Sequence, residues 1–176
     1  TTSCIFNLNK QYIQWISIRN SDIISLMIVL DPSPSIKKHT KIDFNLFSQL
    51  LTTLLESNHR RDINIVAKVH KSKITGTSLC THVDGCRFLI NLDVSNIKRR
   101  YIFGSILHEL RHCVQKNLFG YWPDTHAMKT WKDYWYSKEE IDARKMEKLT
   151  TQMIKAYDAM INMNVQFKKY NLNKIG

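Results

Sequence analysis

"SILHELRHCVQ", Ser105 to Gln115, contains the string HELRH, and the reading of that string decides what fold to expect around it. On an α-helix, residues four apart stand one turn above each other, so His108 and His112 would both reach one tetrahedral zinc ion. Glu109 would sit beside the first ligand, placed to accept a proton from metal-bound water without binding the metal itself. An ordinary amphipathic helix with two histidines shows the same five letters, so the decision passes to the neighbouring residues. Ile102, Ile106, Leu110, Cys113 and Asn117 fall on one side of a helix expected from about Ile97 to Leu118, ended by Gly120 and Pro123. Tyr101, Ser105 and Gln115 continue the histidine-bearing face, which is therefore polar and not a core face.

A catalytic zinc site needs a third protein ligand and an open position. Two residues compete for that role, Glu140 in "YSKEEIDARKME" (Tyr136 to Glu147) and His126 in "WPDTHAMKTW" (Trp122 to Trp131). Ser137 with Glu140 three residues later forms a capping box, opening a long helix expected to reach about Val165. Ala143, Arg144 and Glu147 share the face of Glu140, whereas Glu139 and Asp142 point elsewhere. The small alanine would let this helix approach the HELRH helix closely, and Arg144 or Glu147 would steady a ligand from behind. These features favour Glu140. The pattern HExxHxxGxxH is excluded, because positions 115 and 118 are Gln and Leu.

HELRH followed by "EIDAR" resembles the HExxH metallopeptidases whose third ligand is a glutamate on the next helix, among them the ImmA/IrrE-type peptidases and phage and bacterial metallopeptidase-like proteins. The resemblance covers roughly residues 86–150; the first sixty residues resemble no family. It implies a zincin-like fold of the gluzincin kind, zinc at His108, His112 and Glu140, and Glu109 as the base. A competing resemblance is to the SprT/Spartan type, a DNA-associated protease in which a third histidine follows the motif. His126 would then be the ligand, although the glycine that usually precedes that histidine is missing here.

Outside the motif, the chain reads as one α+β domain over residues 1–176, with a first part (1–60) of unassigned role and an active-site core over 86–150. Strands are expected at Ile23 to Leu30 and Asp62 to Val69, with "DPSPS" (Asp31 to Ser35) as a turn. Between them Asp43 caps a helix carrying Phe44, Phe47, Leu50, Leu51, Leu54 and Leu55 at helical spacing. "TGTSLCTHVDGCRFLINLDV" reads as a hairpin turning at Asp84-Gly85, with Phe88, Ile90 and Leu92 on one face and Cys80 opposite Leu89. The sheet is expected to be small and mostly antiparallel, packed against the HELRH helix and the second long helix. The arm Cys86 to Leu92 is either a substrate-binding edge or an internal strand. Met146, Leu149, Met153, Ala156, Met160 and Met163 form a stripe that reads as core or as a docking seam.

The four cysteines, Cys4, Cys80, Cys86 and Cys113, include no CxxC pair. That pattern predicts free thiols in a reducing compartment, intracellular or viral. Cys80, His82 and Cys86 match no common zinc finger spacing. No apolar run is long enough to span a membrane. The net charge of +11 reads as a solvated basic surface or as the footprint of an acidic partner such as nucleic acid. The expected activity is zinc-dependent peptide hydrolysis on a protein or peptide substrate, with Tyr134, Tyr136 and His126 as candidate donors to the developing oxyanion. The alternative is a zinc-containing structural or binding protein of a larger, viral or cellular, assembly with a vestigial protease site.

Overall fold

Strand β1 (Met27–Pro32) turns Ile28, Leu30 and Pro32 inward in the computed structural model, which describes residues 27–56, 64–96, 98–120 and 130–172. The strand expected at Ile23 to Leu30 therefore lies partly outside the described residues, and it runs on through Asp31-Pro32 instead of turning there. A helix begins directly after the strand. Ser33 caps α1 (Pro34–Thr40), accepting the Ile36 N–H, and Pro34 occupies the first turn, where its missing N–H costs nothing. Asp43 caps α2 (Phe44–Glu56) as expected, accepting the N–H groups of Asn45 and Leu46 at 3.0 and 3.1 Å.

With β2 (Asn64–Lys71), β3 (Leu79–Asp84) and β4 (Arg87–Leu92), β1 forms a sheet of order β1-β2-β4-β3. The mostly antiparallel expectation is corrected: β1 and β4 both run parallel to β2, and only β3–β4 is antiparallel. The reason is connectivity. Helices α1 and α2 carry the chain back to the start of β1, so β2 sets off alongside it. The connection after β2 then reaches the far edge before the hairpin returns β4 into the gap beside β2. The arm Cys86 to Leu92 is accordingly internal, and among the described residues β3 is the edge strand.

The hairpin turn is Gly85-Cys86, one residue later than expected, with Asp84 paired to Arg87 and Gly85 at φ 44°. The later turn alone would set Cys80 opposite Asn91, and a bulge between His82 and Asp84 takes back one residue, so that Cys80 faces Ile90 and not Leu89. Cys80 thereby enters the core against Cys113, their Sγ atoms 3.2 Å apart and both thiols free. The opposite edge of the sheet is closed by α2. The Ile28 N–H donates to Thr52 Oγ1 at 3.2 Å and the Leu30 N–H to Ser48 Oγ at 3.0 Å, which satisfies an edge that would otherwise invite pairing.

The motif helix α3 (Arg99–Phe119) buries Ile102, Phe103, Ile106, Leu107, Leu110, Cys113 and Val114 almost completely. It is apolar on more than one side because it packs against the sheet and also against α5 (Lys138–Glu147) and α6 (Thr150–Leu172). A short helix, α4 (Trp131–Trp135), leads into α5. The long helix expected from Ser137 to Val165 is therefore two, broken at Lys148 and Leu149, whose N–H groups bond three residues back to the carbonyls of Lys145 and Met146. Across from the break lies Gly104 of α3, where an added Cβ would sit 3.4 Å from Thr150 Oγ1. Met146 and Met153 are core and Met160 is partly buried, while Met163 is exposed. Phe47, Phe103 and Tyr157 knit α2, α3 and α6 together, with Phe47 and Phe103 at 4.3 Å between ring centres.

Candidate metal centre

His108 and His112 stand on the face of α3 that meets α5, and Glu140 enters from the first turn of α5. Three local features hold Glu140 there. Ser137 Oγ accepts the Glu140 N–H at 3.3 Å, fixing the helix start. Ala143, fully buried, lets α5 lie close to α3. Arg144, one turn on, places a guanidinium nitrogen 3.6 Å from Glu140 Oε2. The same guanidinium stacks over the Trp135 ring at 4.3 Å and donates to the Trp135 carbonyl, tying α4 to α5.

The three ligating groups converge. Glu140 Oε1 is 3.0 Å from His112 Nε2, Glu140 Oε2 is 3.3 Å from His108 Nε2, and the two Nε2 atoms are 3.2 Å apart. Hydrogen bonding on the far side of each ring fixes what these atoms can be. His108 Nδ1 faces Glu147 Oε1 at 2.5 Å, and a carboxylate only accepts, so Nδ1 carries the proton. His112 Nδ1 faces Gln115 Oε1 at 2.9 Å; this must be the amide oxygen, because Gln115 Nε2 donates to Glu139 O and Asp142 Oδ2, both at 3.0 Å. Each ring therefore turns Nε2 toward the carboxylate, His112 with a lone pair and His108 with the second proton that Glu140 and Glu147 help it keep. The three acceptors, His112 Nε2 and both Glu140 oxygens, crowd around that single charge, a place that a metal cation would fill in the proton's stead.

Glu140 Oε1 is buried and takes part in no hydrogen bond, which is costly for a carboxylate oxygen with nothing to bind. A cation resolves both observations. Two imidazole nitrogens and a carboxylate oxygen within 4.8 Å of one another make a donor set suited to zinc, and among the described residues they are the group able to hold a metal ion. Cys80 faces Cys113, and His82 is engaged with the Gly85 carbonyl, so these residues build no second centre.

Charges in the cluster are displaced in the sense this crowding demands. Burial alone would lift the Glu140 carboxyl, but His108, His112 and the Tyr134 hydroxyl around it hold it well below the usual carboxylate range. Burial works against a charged His108 ring, yet hydrogen bonds to Glu140 and Glu147 outweigh it and push the ring up to about 10. Burial raises Glu109, partly offset by the two histidines, while the Cys80 N–H donates to its carboxylate. Glu109 thus stands between the centre and the edge strand β3. Tyr134 is half-buried with its hydroxyl on Glu140, and burial followed by that carboxylate raises it above the usual phenol range.

Of the residues singled out in the sequence, the structure brings together His108, His112, Glu140, Glu109 and Tyr134. Tyr136 lies at the end of α4 with its ring exposed. His126 lies outside the described residues, as do Tyr121 and Trp122. Asp142 does point away from the centre, but toward Arg111 and Gln115, with Arg111 Nε donating to it at 2.6 Å. Sequence reasoning places Gln115 only on a polar face. Its position three residues after the second histidine is the signal that marks it as that ring's partner.

The chain matches no protein-family profile, no curated protein and no solved structure. Among the described residues no helix is long and apolar enough to cross a membrane.

Proposed function

We propose that the protein is a zinc-dependent peptide hydrolase of the HExxH kind, with His108, His112 and Glu140 holding the ion. The observation that carries this reading is the convergence of two oriented imidazoles and a buried carboxylate oxygen that takes part in no hydrogen bond. Zinc bound there would lower the pKa of its water toward ~7 and polarise a carbonyl.

The chain's own residues supply the remainder of the reaction. Glu109 follows the first ligand and is not one of the three, so it is free to take the proton from an attacking water and deliver it to the leaving amine. Burial raises its pKa, which makes it a stronger proton acceptor than a solvated glutamate. The Tyr134 hydroxyl, held protonated by its surroundings, is a donor for the carbonyl oxygen as negative charge develops there. The outer edge of β3, unpaired by any strand among the described residues, lies beside Glu109, and an extended peptide added to it would run past the proton acceptor.

Glu109→Gln tests the reading. Zinc content is expected to stay at the wild-type level while hydrolysis of an unstructured protein substrate falls by at least ~100-fold, the usual scale for a lost general base. Undiminished hydrolysis in that variant would refute the assignment of Glu109.

A further inference from the structure

We propose that Gln115 is a positioning residue that locks the His112 ring for metal binding, with Asp142 and Arg111 as its support; this rests on the metal-centre reading above. Gln115 is buried, and every polar function of its amide is used. The oxygen accepts from His112 Nδ1, and the two N–H groups donate to the Glu139 carbonyl and Asp142 Oδ2. Asp142 is itself held by Arg111 of α3, so the amide cannot turn over without losing both N–H bonds. An inverted amide would face its N–H₂ group against the His112 Nδ1–H. The network thus selects one amide orientation, and that orientation selects the tautomer with its lone pair on Nε2, facing Glu140.

The two ligands are held differently. His108 leans on the partly exposed carboxylate of Glu147, a charged acceptor open to water. His112 leans on a neutral amide in the interior, whose own acceptors belong to the same helix as Glu140. Gln115 therefore couples the ring's direction to the placement of α5. A carboxylate at position 115 would still accept from Nδ1 but would face Asp142 as a second acceptor. An amide serves both neighbours.

Two variants separate this role from a simple tether between α3 and α5. Gln115→Met keeps the volume and removes the acceptor and both donors. Gln115→Glu keeps the acceptor toward His112 and removes the donors. In metal-free, ¹⁵N-labelled protein, the hydrogen-bonded Nδ1–H resonance of His112 is expected in the wild type and in Gln115→Glu, and is expected to vanish into water exchange in Gln115→Met. Zinc affinity, measured by competition with a chelator, is expected to fall about 10- to 100-fold in Gln115→Met. It is expected to fall less in Gln115→Glu. Equal zinc affinities in the two variants with the Nδ1–H resonance retained in both would overturn the lock and leave only a tether. A wild-type chain that binds no zinc would instead remove the metal reading, and the metal-free resonances would still decide the lock.

Discussion

His108 shows how a single residue reports the state of the centre. Its ring is pushed up to about 10 from 6.5 by Glu140 and Glu147, against the opposing effect of burial. A folded-state pKa above the unfolded one means that protonated His108 stabilises the metal-free fold fully below pH 6.5, and that this contribution is lost as pH rises through about 10. Glu140 acts in the opposite sense, its contribution present above its unfolded value of 4.5 and lost as pH falls toward its depressed one. The melting temperature of chelator-treated protein is therefore expected to decline between pH 7 and 10, and added zinc is expected to flatten that decline by taking the proton's place. A metal-free melting temperature that rises over that interval would contradict the account. The pairing of His108 with His112 is legible from spacing alone, because a helix turns i to i+4 adjacency into a shared face, whereas Glu140 comes from another helix and spacing leaves it in competition with His126. The role of Gln115 is not legible, since the choice of amide orientation depends on Asp142 and Glu139, which a different helix supplies.

At the level of elements, the site depends on where α5 begins. Ser137 accepts the Glu140 N–H, so the cap that starts the helix also fixes the backbone of a candidate metal ligand. Ser137→Ala is expected to cost about 1 kcal/mol of stability, read by chemical denaturation. It should also weaken zinc binding measurably, whereas a cap with no link to the site would leave zinc affinity unchanged. Half of the capping box expected from the Ser137 and Glu140 spacing is present: Ser137 Oγ accepts the Glu140 N–H, but the Ser137 N–H bonds to the Tyr134 carbonyl while the Glu140 carboxylate turns to the histidines. Helix α2 is visible through Asp43. The signal at "DPSPS" misleads, because Ser33 and Pro34 open a helix there and do not close a turn. The break at Lys148 and Leu149 is invisible for another reason: apolar spacing continues across it, and only the approach of Thr150 to Gly104 of α3 shows where a new helix sets off.

At the scale of the whole molecule, the described residues form a mixed four-stranded sheet with one edge closed by Ser48 and Thr52 of α2 and the other, β3, beside the candidate metal centre. That asymmetry is a property of strand order, which the alternation of Phe88, Ile90 and Leu92 could not disclose. Alternation gives the buried face of a strand, whereas its neighbours are chosen by distant connections, here α1 and α2. The two faces of α3 are likewise half legible: the stripe of Ile102, Ile106 and Leu110 is clear, while Phe103, Leu107 and Val114 are buried by α5 and α6 and the sheet together. All of these layers meet at the three convergent donors, so zinc stoichiometry of the purified chain tests the account most directly. One zinc per chain is expected in the wild type, and Glu140→Ala is expected to lose most of it while keeping its helical circular dichroism. A wild-type chain without zinc, or full occupancy in a folded Glu140→Ala chain, would contradict the centre described here.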